Sequence, residues 1–247
     1  EMSRGLGDVY KRQLLYNAMV NPLVGLSMQG VIWYQGENNT NRAKEYYHLF
    51  PAMINDWRKK WGKDFPFYWV QLANYMDVVE VPSESLWAQV REAQTQTLSL
   101  SHTGQAVIID IGEAKDIHPK NKQEVGRRLA LHALHNDYGF SDVVCESPMP
   151  KTVRRVQDKI VVQFDNVADG LIVKNKYGYL MSFAVAGNDG VYKWVQAKVA
   201  GKDRVVLSCP DVIDPVSVRY AWGDNPDDAN LYNSVGLPAT PFEIKIE

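Results

Sequence analysis

Gly30-Val31-Ile32-Trp33-Tyr34-Gln35-Gly36-Glu37-Asn38-Asn39 decides the reading of this chain. Val31 to Tyr34 supplies two β-branched and two aromatic residues in a row, a run that suits a buried strand. A polar cluster then falls where the strand must end. In open parallel α/β sheets the crevice at the carboxyl ends of the strands is where ligands bind. An amide, a glycine and a carboxylate delivered together to such a place read as a site. The plainer alternative is a polar turn that caps the next helix, and the stretch by itself does not choose between them.

The chain downstream repeats the pattern. Ala43 to Trp61 carries Tyr46, Leu49, Phe50, Met53, Ile54, Trp57 and Trp61 at helical period, with Arg58, Lys59 and Lys60 near its end and Gly62 just beyond. Pro51 should kink or divide this helix. Phe65–Leu72 is a second strand-like run ending on Gln71, and Ser85–Ser99 returns to helical period. Gln105–Ile111 is a third apolar strand. A polar loop follows, Gly112–Lys120, containing Asp116-Ile117-His118-Pro119. Asn121 with Glu124 opens a helix in capping-box fashion, and Gly139 closes it. Upstream, Leu14–Leu26 has helix-like apolar spacing interrupted by Pro22.

Alternation of strand and helix predicts a parallel sheet with crossover helices, an α/β fold. All three strands then point one way, so Gln35, Gln71 and the His118 loop gather at one edge. From about Ser147 the texture changes to short β-rich runs separated by turns such as Gly187-Asn188-Asp189-Gly190 and Gly201-Lys202-Asp203. The expected organisation is a non-native leader at 1–13, an α/β unit at 14–146, a smaller antiparallel β unit at 147–222, and a tail at 223–247 that packs back. Glu1–Gln13 has no apolar signal-peptide core, and the leader reading rests on its resemblance to translated sequencing-adapter bases.

Composition limits the function classes. The 247 residues are 45% hydrophobic and 23% charged with a formal net charge of −2, so nucleic acid is not an expected partner. No apolar stretch reaches membrane-spanning length. Cys145 and Cys209 lack metal-ligand spacing and fit either one disulfide or two buried thiols. Asp116 and His118 form a D-x-H pair without a third and fourth ligand, and no glycine-rich phosphate loop is present, so neither a metal nor a cofactor is expected.

His118 carries most of the chemistry. It follows a strand, lies two residues past Asp116 and precedes a helix, the setting of a general base oriented by a carboxylate. Taken alone, a loop histidine that only hydrates would be the simpler reading. Its place on the same sheet edge as Gln35-Gly36-Glu37-Asn38 favours catalysis. Gln35 or Asn38 can donate a side-chain N–H to an oxyanion, helped by backbone N–H groups around Gly36, and each such donor is worth about 3–4 kcal/mol. Glu37 suits loop anchoring, orientation of His118, sugar hydroxyls or simple capping. A two-carboxylate glycosidase built on Glu37 and Asp116 leaves His118 without a role. His132 and His135 read as surface or half-buried helix residues. The nucleophile is the gap. Gly25-Leu26-Ser27-Met28-Gln29 approaches G-x-S-x-G but lacks the last glycine and precedes its strand, so Ser27 reads as a loop serine.

These residues resemble the sialate O-acetylesterase family, a branch of the SGNH/GDSL-type hydrolases. The likeness runs through Leu15-Tyr16-Asn17-Ala18-Met19, the Gly30–Asn39 stretch, Phe50-Pro51-Ala52-Met53-Ile54-Asn55-Asp56-Trp57-Arg58, Trp69-Val70-Gln71-Leu72 and Ile117-His118-Pro119-Lys120-Asn121-Lys122-Gln123. It closes with Val218-Arg219-Tyr220-Ala221-Trp222 and Leu237-Pro238-Ala239-Thr240-Pro241-Phe242. The resemblance implies a partial SGNH-like three-layer core and a serine esterase that removes acetyl groups from sugars, the 9-O-acetyl of sialic acid first and acetylated xylan or another acetyl-glycan second. His118 would be the base, and Gln35 with its neighbours the oxyanion and substrate side. SGNH relatives place an aspartate three residues before the histidine; Lys115 stands there in this chain, which leaves Asp116, or else Glu113, as the orienting acid. The family's nucleophilic serine belongs to a block ahead of LYNAM. The resemblance therefore implies a C-terminal part of an esterase, catalytically incomplete alone, from an enzyme that works outside the cytoplasm. A glycan-binding or structural role, with the aromatic-rich β unit making contact, is the reading from a different class.

Overall fold

The computed structural model describes residues 13–247. The leader reading therefore lies outside the described residues except for Gln13, which opens a short helical segment. Three parallel strands, β1 (Val31–Trp33), β2 (Phe67–Val70) and β3 (Thr103–Ala106), form one sheet with β2 in the middle. The side chains of β2 alternate between two cores. Phe67 and Trp69 enter an apolar cluster with Phe50, Ile54, Trp87 and Val90. Tyr68 and Val70 enter another with Ala106, Ile108, Val125 and Leu129. The first cluster is covered by α1 (Ala43–Trp61) and α2 (Leu86–Gln96), the second by α3 (Lys122–Asn136). The period-2 pleat thus produces three layers from a sequence whose helices are apolar on one stripe. Each large side chain fully buried here contributes about 1.5–3 kcal/mol.

Local signals set the helix limits. The Ser85 hydroxyl accepts the Ala88 N–H (2.8 Å) to start α2, and the Asn121 side chain accepts that of Glu124 (3.2 Å) to start α3. Gly62, at φ 61°, closes α1.

The structure corrects several expectations. Pro51 does not divide α1, which runs unbroken from Ala43 to Trp61 with Tyr46, Phe50 and Ile54 buried on either side of it. The third strand pairs earlier than the apolar run, over Thr103–Ala106. Val107, Ile108 and Ile109 remain buried but leave the ladder, and Ile111 turns back to the Ile108 carbonyl (3.3 Å). The run reported burial rather than pairing. β1, expected to be buried, is an edge strand with Ile32 71% exposed. The segment from Tyr16 to Leu23 is helical, in π and 3-10 geometry, yet buries none of its residues.

The second half of the chain is antiparallel. One sheet orders β4 (Met149–Val156), β5 (Lys159–Asp165), β10 (Arg204–Ser208) and β9 (Gln196–Ala200) as β4-β5-β10-β9. The other orders β13 (Phe242–Lys245), β11 (Ser217–Tyr220), β7 (Phe183–Ala186) and β8 (Tyr192–Trp194) as β13-β11-β7-β8. A small pair joins β6 (Leu171–Val173) and β12 (Leu231–Asn233). All three feed one core that includes Val162, Phe164, Leu207, Phe183, Val218, Tyr220 and Leu231. The two glycine-rich turns read in the sequence connect β7 to β8 and β9 to β10.

Arg91 of α2 locks the two halves together. It is fully buried, and its guanidinium donates to the carbonyls of Leu72, Ala73, Gly223 and Asp224 at 2.6–2.9 Å. Asn74 donates to Asn225 (2.9 Å), and Asn225 in turn to the Met76 carbonyl (2.7 Å). Segments around residues 72–76 and 223–225 are therefore fixed relative to each other.

Candidate functional site

The strand-end cluster is held from three directions. The Gln35 Nε2 group donates to Asn39 Oδ1 (2.7 Å), while the Tyr46 hydroxyl of α1 donates to Gln35 Oε1 (3.2 Å). The Gln94 side chain of α2 donates to the Gln35 carbonyl (3.2 Å). Gly36 is buried at φ 151°, and a Cβ there would lie 3.1 Å from Gln94 Nε2 and 3.2 Å from Leu72 Cδ2. Both the conformation and the space demand glycine. Glu37 begins a 3-10 helix, Glu37–Arg42, whose N-cap position is Gly36 and so carries no side-chain cap. It is in no ion pair among the described residues. Its charge adds to burial in pushing the Tyr34 hydroxyl up to about 12, burial being the larger cause. Asn38 is exposed.

The His118 loop sits beside this cluster. Lys122, at the start of α3, places its ammonium 4.5 Å from the Tyr34 ring centre, and Ile117 packs against the core that holds Trp33 and Leu72. The parallel topology thus brings both loops to one sheet edge. Among the described residues no hydrogen bond links His118 directly to Gln35, Gly36, Glu37 or Asn38.

Within the loop, Asp116 Oδ1 accepts the His118 backbone N–H (2.9 Å) and lies 3.6 Å from His118 Nδ1. That backbone hydrogen bond, with the nearby His118 and Lys120 charges, holds the Asp116 carboxyl below its ordinary range. A general acid of a glycosidase needs the opposite shift. Glu113 is committed elsewhere: its carboxylate accepts from Lys120 Nζ (2.9 Å) and the Lys120 backbone (3.3 Å). Of the two candidate acids, only Asp116 touches the histidine.

Ser27 lies at the other end of the sheet. The flanking Leu26 and Met28 carbonyls accept from Trp61 Nε1 (3.3 Å) and Lys63 Nζ (3.0 Å), at the C-terminal end of α1. Tyr46, which holds Gln35, is at the opposite end of that helix. Fifteen residues at 1.5 Å each separate the two ends by about 22 Å. Among the described residues no serine hydroxyl is hydrogen-bonded to His118. Gln71, expected at the edge, is fully buried and donates into α2, to the Arg91 carbonyl (3.2 Å) and Thr95 Oγ1 (2.9 Å). His132, expected near the surface, is buried instead, stacked on Tyr68 with ring centres 5.5 Å apart, and burial pulls its pKa down.

Several supporting residues escaped the sequence reading. Tyr46 and Gln94 look like ordinary members of helical stripes, and only the fold aims them at Gln35. Asn74 Oδ1 accepts the Gly112 N–H (2.7 Å), and a Cβ at Gly112 would fall 2.1 Å from the Asn74 carbonyl oxygen. Arg128 of α3 grips Asp110 through two nitrogens (2.6 and 2.9 Å), fixing the chain just before the loop. The charge-assisted D…R pair was visible as residue types, but eighteen positions of separation gave no signal. Cys145 and Cys209 are both free and buried. Among the described residues no group of three or more His, Cys, Asp or Glu is placed to hold a metal.

Comparison with known proteins bears on the family and the fold. The chain is 30% identical to the sialate O-acetylesterases of Pongo abelii and Homo sapiens, in each case across 94% of its own length and 49% of theirs. It therefore spans about half the length of the curated relatives it matches. A crystal structure of a carbohydrate acetylesterase from Xanthomonas citri superimposes with a TM-score of 0.87 at 45% identity, covering 93% of this chain and 53% of that one. The family model described as carbohydrate esterase, sialic acid-specific acetylesterase, matches residues 4–135, the span that contains both loops. The chain belongs to the sialic acid-specific acetylesterase family of carbohydrate esterases.

Proposed function

We propose that this chain forms part of a carbohydrate O-acetylesterase, a carboxylic ester hydrolase whose preferred substrate is 9-O-acetylated sialic acid. The observation that carries the reading is the meeting of the Gln35 loop and the His118–Asp116 loop at one sheet edge, in a chain of this family. His118 is the general base. Asp116, held anionic and 3.6 Å from Nδ1, orients the ring and stabilises the imidazolium as it forms. An amide carries two N–H donors, and Gln35 spends one on Asn39. The second is free to meet a developing oxyanion, with Gly36 giving the backbone close access and Asn38 exposed beside it. Glu37 faces the sugar hydroxyls. The serine nucleophile comes from outside the described residues, since Ser27 stands at the wrong end of the sheet.

Acetate release from 9-O-acetylated sialic acid by the full-length enzyme tests the assignment, with acetylated xylan as comparison. His118→Ala should lower the rate about a thousandfold or more. Unchanged activity would remove His118 from the mechanism. A serine-reactive fluorophosphonate that labels Ser27 stoichiometrically would overturn the placement of the nucleophile.

A further inference from the structure

We propose that the antiparallel unit carries a second binding site, a groove for a carboxylate-bearing segment of a glycan, built on Trp194 and Tyr179. The groove encloses about 740 Å³, and its lining includes Tyr179, Trp194, Gln196, Lys198, Lys159 and Ser208. A second cavity of about 280 Å³ continues it, sharing Met181 and Trp194 and reaching Glu80 and Trp222.

The Trp194 ring and the backbone of Tyr179 are fixed, not merely exposed. Trp194 Nε1 donates to the Glu80 carbonyl (2.9 Å), yet the residue stays 43% exposed. The Tyr179 carbonyl accepts from the side-chain amides of Asn175 and the buried Asn230 (2.8 Å for the latter), while Asn230 Oδ1 accepts the Met181 N–H (3.1 Å). Two amides thus pin the backbone and leave Tyr179 69% exposed. Rigid aromatic surface costs little entropy when a ligand arrives, which is what binding anchors require. The C–H face of a pyranose packs on such rings, and its hydroxyls find partners in Gln196 and Ser208.

Charge selects among glycans. The lining of the larger groove contains two lysines and no carboxylate. Lys159 donates to Ser208 Oγ (3.0 Å) and pairs with Asp158 (3.0 Å), whereas Lys198 is in no ion pair among the described residues. Glu80 and Asp228 line only the smaller cavity. The anionic end of a ligand therefore seats in the larger one.

The groove also communicates with the catalytic edge. Trp194 is tied to Glu80, four residues after Met76, whose N–H donates to the carbonyl of Ala114 in the His118 loop (3.0 Å). Four residues span at most about 14 Å. A glycan longer than the reacting sugar can lie along this loop, so the site rests on the reading of the chain as part of a carbohydrate esterase.

Titration of the chain with sialyllactose and with lactose, followed by tryptophan fluorescence and calorimetry, tests the proposal. Sialyllactose should bind saturably and about tenfold more tightly than lactose. Trp194→Ala should weaken sialyllactose about tenfold or more, Trp194→Phe should retain most of the affinity, and Lys198→Glu should erase the preference for the acidic sugar. Thermal unfolding checks that each variant is folded. Equal binding of both sugars overturns the acidic class, and unchanged affinity in folded Trp194→Ala overturns the site. Acetate release from monomeric 9-O-acetylated sialic acid by the full-length enzyme should survive the groove variants, while His118→Ala should keep sialyllactose binding. Binding without any hydrolysis would break the esterase reading and leave the groove standing.

Discussion

The antiparallel unit and the parallel sheet differ most at their margins. In the former, three sheets pour their buried residues into one core, and Tyr220 packs at a tilt against Phe183 with ring centres 4.7 Å apart while its hydroxyl accepts the Leu231 N–H (3.0 Å). In the latter, β1 has no strand on its outer side among the described residues. Six large apolar residues from Leu14 to Ile32 are more than half exposed. An open strand edge beside exposed apolar residues is surface suited to packing against further protein. The contrast is therefore one of margins, since both units have buried cores, and the candidate catalytic loops belong to the unit with the open sheet edge.

Substitutions should reveal that asymmetry. Tyr220→Ala removes a fully buried aromatic and should cost about 3–5 kcal/mol, read as a shift in denaturant midpoint. Ile32→Ala at the open edge should change stability by no more than about 0.5 kcal/mol. Equal costs at the two positions would mean that β1 is covered in solution, for instance by self-association. Next in size is Arg91→Ala. It strands the Leu72 and Gly223 carbonyls where the units meet, while Ala73 keeps the Trp87 indole N–H and Asp224 the Tyr75 N–H, and it should cost about 3 kcal/mol. Arg91→Lys should recover little, since an ammonium cannot reproduce the planar fork. Full recovery by lysine would reduce the junction to a matter of charge.

The same contrast explains what the sequence made legible. Strand and helix order in the α/β unit followed from period, and the turns of the β unit from Gly-Asn-Asp-Gly and Gly-Lys-Asp. The pairing of Thr103–Ala106 did not, because a ladder is a relation between chains of residues and apolar runs report only burial. Ile32 looked buried for the same reason: a β-branched residue says nothing about whether a neighbour is present. At the candidate site, His118, Asp116 and Gln35 were legible as candidates from residue type and position. Tyr46, Gln94 and Asn74, which hold the loops, were not, since each depends on a long-range approach made by the fold.

Gly36→Ala separates the two regions more finely. A side chain at φ 151° costs about 1–3 kcal/mol, and the added methyl meets Gln94 and Leu72. Relief of that contact moves the Gln35 backbone, so the full-length enzyme should lose acetate release far beyond what its small fall in melting temperature accounts for. A proportionate loss of both would make Gly36 a folding residue only.

The smallest effect concerns acid. Glu124 at the start of α3 has its carboxyl held down to about 2 from an ordinary 4.5, first by hydrogen bonds from Arg127 and then by Arg128, against the upward push of burial. The folded value lies below the unfolded one, so the folded chain binds fewer protons in that interval. The contribution to stability is whole above about pH 4.5 and is lost as pH falls toward 2. Glu124 also braces Arg128 (2.7 Å), which grips Asp110 ahead of the His118 loop, so the loss reaches that loop rather than the β unit. Urea unfolding of wild type and Glu124→Gln at about pH 6 and about pH 3 should show a gap between the two proteins that narrows with acid. A gap of constant width would mean that Glu124 acts through its packing alone, and the acid sensitivity of the loop would have to be sought in Asp116.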